Sequence, residues 1–262
     1  MEKITSEELK AFVKEQGGDL VGIAQADCFE TTSRRRGPKF IMPTARSVVV
    51  FAQRLLVGSI ESPSDMVVTF GSVALYKGLD IIGYKVGRFL EQRGYRAAIV
   101  PSYSPVDMGL ETKGFAGEVS LRHVAKAAGL GVLGKNNLLL TPEFGPRVRI
   151  GAVVTTAKLQ PDEPSSKNFC NTCEACISAC PVNALSEPGR TRVNKCTPKV
   201  LPYSLGRLTQ YLVDNLNKSH EELVETFKTP DFWNMYQSLQ VGFQYGCHVC
   251  INVCPIGDSK AK

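Results

Sequence analysis

Eight of the nine cysteines lie between Cys170 and Cys254, and this crowding limits what the chain can fold into more than any other feature. The first eight residues are polar and acidic, unlike a secretory signal, so we expect a cytoplasmic protein whose thiols stay reduced. In a reducing compartment, clustered cysteines predict a metal centre before they predict disulfides. The ninth cysteine, Cys28, is predicted to be a small buried apolar side chain.

The spacing of the cysteines indicates iron–sulfur clusters. Residues 170–181 follow the pattern Cys-x2-Cys-x2-Cys-x3-Cys-Pro, in which three thiolates hold one cube and the fourth reaches another. Residues 247–255 repeat the end of this pattern without its first cysteine, for which Cys196 is the natural replacement. We therefore predict two [4Fe–4S] clusters with crossed ligation. The first set is Cys170, Cys173, Cys176 and Cys254, and the second set is Cys180, Cys196, Cys247 and Cys250.

Two other interpretations of the cysteines stay open. Zinc also accepts four thiolates at the Cys-x2-Cys spacing. The triple run and the Cys-Pro that ends both motifs favour iron–sulfur clusters instead. A single intact cluster beside a degraded one is the third interpretation. His248 lies inside the second motif, and we expect it to be a neighbour of a cluster rather than a ligand.

The segment before these cysteines alternates predicted helices and strands, which is typical of an α/β or α+β domain. Helices are predicted at residues 5–14, 66–93 and 120–128, and strands at residues 20–24, 47–52, 96–100 and 147–155. A polar stretch that starts at Gln160 marks a domain boundary. We therefore predict an α/β domain over residues 1–159 and a ferredoxin-like domain over residues 160–262, with a helical insertion at about residues 205–240.

Composition and charge narrow the class of protein further. The 262 residues are 43% hydrophobic and 21% charged, which excludes a disordered or fibrous chain. No run approaches about 18 apolar residues, so we expect no membrane-spanning helix. The formal charge of +6 falls close to neutral once the thiolates and two cluster cores are counted, so it is poor support for nucleic-acid binding. The basic residues Arg34, Arg35, Arg36 and Lys39 are expected to form a solvated loop rather than a phosphate-binding surface.

One segment ahead of the cysteines resembles a known family. Residues 128–131, Ala-Gly-Leu-Gly, with Gly134-Lys135 resemble a motif of the epoxyqueuosine reductases. Residues 141–149, Thr-Pro-Glu-Phe-Gly-Pro-Arg-Val-Arg, are similar to the reductive dehalogenases. Both groups are corrinoid iron–sulfur reductases, and the double cysteine motif follows at the distance that this superfamily shows. The resemblance implies a flavin-reductase-like α/β domain that holds base-off cobalamin beside the nearer cluster, followed by a bacterial 2[4Fe–4S] ferredoxin-like domain.

The resemblance also implies which residues contact the corrinoid. Glycines allow a backbone to approach a flat macrocycle closely, and amide or cationic side chains can bond its peripheral amides or phosphate. The implied contacts are Gly129, Leu130, Gly131, Val132, Gly134, Lys135, Asn136, Asn137, Arg147 and Arg149. The plainer interpretation is a tight helix-to-strand connection with solvated basic side chains.

The chain departs from the family pattern at the proton donor. The catalytic aspartate of the epoxyqueuosine reductases has no counterpart in register, although Asp107 and Glu118 are nearby. Tyr103, like Tyr76 and Tyr84, is a candidate donor only by residue type. Glu118 and Tyr103 are therefore the catalytic candidates.

These observations predict a cobalamin-dependent iron–sulfur reductase, which passes electrons through two [4Fe–4S] clusters to a bound corrinoid and reduces a small molecule or modified nucleoside. The alternative is an electron-transfer or corrinoid-activating protein with both clusters and no catalytic cobalamin of its own. A third interpretation, tRNA modification like that of the epoxyqueuosine reductases, is disfavoured because their C-terminal helical-repeat segment is missing. The expected electron donor is a reduced ferredoxin or flavodoxin, and no membrane partner is expected.

Overall fold

The computed structural model describes residues 3–28, 36–103, 117–203, 205–242 and 245–257. Its strands are β1 (Leu20–Gln25), β2 (Ser47–Arg54), β3 (Ala97–Val100), β4 (Val132–Leu133), β5 (Leu139–Leu140) and β6 (Val148–Thr155). Its helices are α1 (Ser6–Glu15), α2 (Pro38–Ile41), α3 (Val57–Ile60), α4 (Asp65–Glu91), α5 (Leu121–Ala127), α6 (Ala175–Ser178), α7 (Val193–Val200), α8 (Leu205–Asn215), α9 (His220–Phe227), α10 (Pro230–Val241) and α11 (Val249–Asn252).

Four strands form one sheet in the order β1–β2–β6–β3, and every neighbouring pair in it is antiparallel. The domain is therefore a mixed α/β fold, although alternating helices and strands more often give a parallel sheet. β6 lies between β2 and β3, and Arg149 pairs with Gln53 near its start. This position brings the segment just before β6 to the end of β2. Arg147 in that segment contacts the second cysteine motif, so this edge of the sheet faces the cysteine motifs.

Helices cover both faces of the sheet. On one face, α1 and α4 pack Leu9, Leu79 and Val86 against the side chains of Val49 and Phe51. The opposite face is covered by α5 and the residues around it. Because both faces are buried, the first six residues of β2 are all buried, which explains the unbroken apolar run of residues 48–52.

Most local elements predicted from the sequence are confirmed. α1 begins after Thr5, whose hydroxyl accepts a hydrogen bond from the backbone N–H of Glu8, as the capping pattern predicts. α4 matches the long predicted helix, and Gly94 follows it with a φ of 83°. The predicted helical insertion is three helices, α8, α9 and α10, rather than one continuous element. The domain boundary stays a prediction, and Asp162 beyond it still accepts a hydrogen bond from the backbone of Ile23.

α4 is the one helix among the described residues that is, by length and composition alone, long and apolar enough to cross a membrane. Core helices of folded domains pass the same test of length and composition. α4 buries side chains such as Leu79, Ile82 and Leu90 against the sheet, as a core helix does. A cytoplasmic location stays a prediction.

Candidate metal centre

The two cysteine motifs lie side by side. The first motif leads into α6, which contains Cys176, and the second leads into α11, which contains Cys250. These two short helices pack against each other. The fold therefore brings together two motifs that are separated by more than sixty residues of sequence, including the three-helix insertion.

Four thiols form a first group. Burial raises the pKa of Cys176, and the neighbouring thiols of Cys170, Cys254 and Cys173 raise it further. Burial also raises the pKa of Cys254, while the backbone N–H of Ile256 and the charge of Arg147 partly offset that rise. The structure thus places Cys254 of the second motif with three thiols of the first.

The other four thiols form a second group. Burial raises the pKa of Cys196, and the thiols of Cys247 and Cys180 add to that rise. Burial raises the pKa of Cys250 to about 12, with further contributions from Cys247, Cys196, Cys176 and Cys180. Cys176 therefore links the two groups, because its thiol belongs to the first and also influences Cys250 in the second.

Among the described residues, no three His, Cys, Asp or Glu side chains converge closely enough to hold a single metal ion. Thiolates that share one tetrahedral zinc lie within about 4 Å of one another. Cys28 is far along the chain from both groups, and burial raises the pKa of its thiol to about 11.

The segment from Gly134 to Arg147 attaches the cysteine motifs to the α/β fold. The backbone N–H of Lys135 donates to the Sγ of Cys170 at 3.3 Å. The side-chain amide of buried Asn136 donates to the carbonyl of Cys250 at 3.4 Å. One short turn of the chain therefore contacts a cysteine from each of the two groups.

Arg147 is the strongest of these attachments. Its side chain is buried, and its guanidinium donates hydrogen bonds to three backbone carbonyls of the second motif. The acceptors are the carbonyls of Ile256 at 3.0 Å, Cys254 at 2.7 Å and Asn252 at 3.4 Å. The donors of Arg147 are thus directed at the loop that carries Cys254, and its predicted role as a corrinoid contact stays a prediction.

The glycines that were expected to face a macrocycle contact protein on the side where a Cβ would lie. A Cβ on Gly131 would lie 2.0 Å from the carbonyl oxygen of Leu140, and one on Gly129 would lie 2.6 Å from that of Glu163. A Cβ on Gly134 would contact Leu140 and Asn136. The need for glycine at these positions is explained by close packing within the chain, which is the plainer of the two interpretations of this segment.

The other predicted corrinoid contacts also have partners in the chain. Leu130 is part of the core beside α5, and Val132 packs with Cys254. The ammonium of Lys135 lies 3.6 Å from Glu174, and the amide of Asn137 donates to Thr191. Their role as corrinoid contacts stays a prediction.

Beside the second group of thiols lies a polar cluster that sequence reasoning missed. The guanidinium of Arg149 lies over the rings of Tyr76 and Tyr245, at 5.9 and 5.7 Å from their centroids. The hydroxyls of these tyrosines are 3.2 Å apart, and the ring of Tyr103 lies 5.1 Å from that of Tyr76. No sequence signal pairs Tyr76 with Tyr245, which is 169 positions away.

This tyrosine–arginine cluster can bind an anionic group and donate a proton to it. Burial raises the pKa of Tyr76 and of Tyr103, so both phenols keep their protons at neutral pH. Burial would lower the pKa of Arg149, but interactions with Tyr76 and Tyr245 outweigh it and raise the pKa. The adjacent His248 is buried, and its Nε2 has no hydrogen-bond partner among the described residues.

The remaining sequence candidates lie elsewhere. Tyr84 is exposed on α4, and Glu118 is exposed before α5, where its carbonyl accepts a hydrogen bond from Gly37. Tyr103 alone of the two catalytic candidates thus joins the tyrosine–arginine cluster. Asp107, Arg34 and Arg35 lie outside the described residues.

Comparisons with known proteins support an iron–sulfur domain in this chain. The sequence model of the 4Fe-4S binding domain family, Fer4, matches residues 166–186, which contain the first motif. Over 97% of its length, the chain is 25% identical to the epoxyqueuosine reductase of Bacillus subtilis strain 168. Over 61% of its length, it is 31% identical to a tetrachloroethene reductive dehalogenase of Desulfitobacterium hafniense.

A solved structure resembles the whole described fold. It is an epoxyqueuosine reductase bound to an epoxyqueuosine-modified tRNA stem loop, with a TM-score of 0.64, 25% identity, and coverage of 97% of this chain and 65% of that chain. The chain has homologues among both the epoxyqueuosine reductases and the reductive dehalogenases, which confirms the resemblance seen in its motifs. It spans 64% of the Bacillus subtilis reductase and 27% of the dehalogenase.

Replacing Arg147 by methionine tests its role as the attachment of the second motif. The change keeps an unbranched side chain but leaves three carbonyls without their donor, at a cost of about 1–3 kcal/mol for each buried group. We expect the melting temperature of the anaerobically purified protein to fall by at least about 6 °C. The matched change at the exposed Arg54, R54M, should leave it nearly unchanged, and equal melting temperatures for the two variants would contradict this role.

Proposed function

We propose that this chain is an iron–sulfur reductase that moves electrons through two [4Fe–4S] clusters. The observation that carries the proposal is the division of eight thiols into two groups of four. The first group includes Cys254 of the second motif, and the second group includes Cys180 of the first motif. Crossed ligation of this kind is the pattern of two-cluster ferredoxins.

The donor sets suit clusters of this type. All eight candidate ligands are thiols, which are the ligands that iron–sulfur clusters require. The backbone N–H groups of Lys135 and Ala184 donate to the Sγ atoms of Cys170 and Cys180, both at 3.3 Å. Hydrogen bonds to cluster sulfurs stabilise their negative charge. When bound, the two clusters supply one-electron transfer between a donor and the substrate site.

Metal analysis of cysteine variants tests the two-cluster proposal. We expect about eight irons and eight sulfides per chain in the anaerobically purified protein. C254A removes a ligand of the first group and C196A a ligand of the second, so each should lower the iron content towards about four. C28A is the matched control, because Cys28 belongs to neither group, and it should keep all of the iron. Stoichiometric zinc, or an equal loss in all three variants, would contradict the proposal.

We propose further that the electrons serve a reductive reaction, with a corrinoid as their acceptor. This step is supported by the homologues, which are reductases, and by the motifs shared with them. Arg147 and the glycines of residues 129–134 also have contacts within the chain, so their role as corrinoid contacts stays a prediction.

The cobalt content of the protein distinguishes a corrinoid-dependent reductase from an electron-transfer or corrinoid-activating protein. After anaerobic reconstitution with hydroxocobalamin and removal of the unbound excess, we expect about one cobalt per chain. G131A should lower the stability of the protein because of its contact with Leu140, and should not selectively weaken cobalamin binding. Full iron content without retained cobalt would contradict the corrinoid step and leave an electron-transfer or corrinoid-activating protein.

A further inference from the structure

A strongly basic surface surrounds one thiol of the second group. Residues 190–199 contain four cations and no acidic residue: Arg190, Arg192, Lys195 and Lys199. We call these four side chains the basic collar. All four are exposed, whereas the candidate ligand Cys196 between them is half-buried. A positive surface thus lies around the exposed side of a candidate cluster.

The geometry of α7 places the collar next to the thiol. Arg192 precedes Cys196 by four positions and Lys199 follows it by three, and residues at these separations share a helix face. Lys195 and Lys199 are themselves four positions apart. Arg192 and Lys199 therefore share the face of Cys196, and Lys195 directly precedes it in the chain.

The collar keeps most of its charge. Glu187 is the one acidic residue between Pro181 and Arg207, and it pairs with Arg190 at 3.2 Å and Arg192 at 3.4 Å. In the described part of the chain, no ion pair joins Lys195 or Lys199 to an acidic side chain. The net positive charge at this surface is therefore centred on the two lysines.

The first group of thiols has different surroundings. Its cysteines Cys254 and Cys170 pack against Val132 and Leu140 of the α/β fold, so that side is covered by the protein. Residues 160–179 carry three acidic side chains and one lysine, and two of the acids are paired, Asp162 with Lys10 and Glu174 with Lys135. This segment has no excess of positive charge, so an acidic partner would be attracted to the second group in preference to the first.

We propose that the basic collar is the docking surface for an acidic one-electron donor of the flavodoxin class, which reduces the cluster at Cys196. This inference rests on the proposed function, since it requires a cluster in the second group. In the step itself, the reduced flavin loses one electron and the cluster core gains it, with no bond made or broken. Complementary charges raise association rates by about 10- to 1,000-fold at low salt, so the collar should act on the rate of encounter.

Charge reversal on the collar tests the proposal. Anaerobic stopped-flow measures the rate at which reduced flavodoxin bleaches the iron–sulfur absorption, over a range of salt concentrations. We expect the double variant K195E/K199E to lower the second-order rate constant about tenfold or more at low salt, and to flatten its salt dependence. The neutral double variant K195Q/K199Q should fall between this variant and the wild type.

The control makes the same change of net charge on another surface. Lys77 and Lys85 are exposed on α4, and K77E/K85E should keep the rate within about twofold of the wild type. Photoreduction by a small deazaflavin should proceed equally in all variants, which shows that their clusters are intact. Equal slowing by both double reversals, or by neither, would overturn the proposal.

Failure of the docking surface and failure of the clusters give different results. A collar reversal that leaves the flavodoxin rate unchanged but abolishes salt-dependent binding of a tRNA stem loop would overturn the proposal in favour of a nucleic-acid surface. A wild-type protein that holds no iron, and so shows no bleaching with deazaflavin, would instead contradict the proposed function itself. The two failures are thus distinguishable.

Discussion

The hydrogen bonds of Arg147 are the interaction on which the rest of the site depends. A buried guanidinium that donates to the carbonyls of Asn252, Cys254 and Ile256 fixes the last loop of the second motif against the start of β6. That loop carries Cys254, the thiol that the second motif contributes to the first group. The crossed arrangement of thiols therefore depends on a residue of the α/β fold. In this sense the sheet is the scaffold of the candidate metal centre.

The surroundings of the two groups of thiols differ in charge and burial. The first group of thiols is covered by the α/β fold, whereas Cys196 of the second group lies beside the basic collar. The tyrosine–arginine cluster of Arg149, Tyr76, Tyr245 and Tyr103 contacts His248 of the second motif. The basic collar and the protonated phenols therefore lie beside the same group of thiols.

The sequence predicts the local elements and the cysteine motifs because each depends on spacing along the chain. The apolar run of β2, the cap at Thr5 and the Cys-x2-Cys repeats are all local patterns. The antiparallel order of the sheet was not predictable, because periodicity within a strand does not identify its neighbours. The contacts of Arg147 and Gly131 within the chain were not predictable for a related reason. The partner of Arg147 is 107 positions away, and glycine at position 131 is as compatible with close chain packing as with a bound macrocycle.

The central claim is that the eight thiols hold two [4Fe–4S] clusters that are close enough to interact. Electron paramagnetic resonance of the fully reduced, anaerobically prepared protein tests it most directly. The account predicts about two electron spins per chain, with a spectrum broadened and split by magnetic coupling between neighbouring clusters. A single uncoupled spin per chain, or a silent protein that contains zinc, would contradict it.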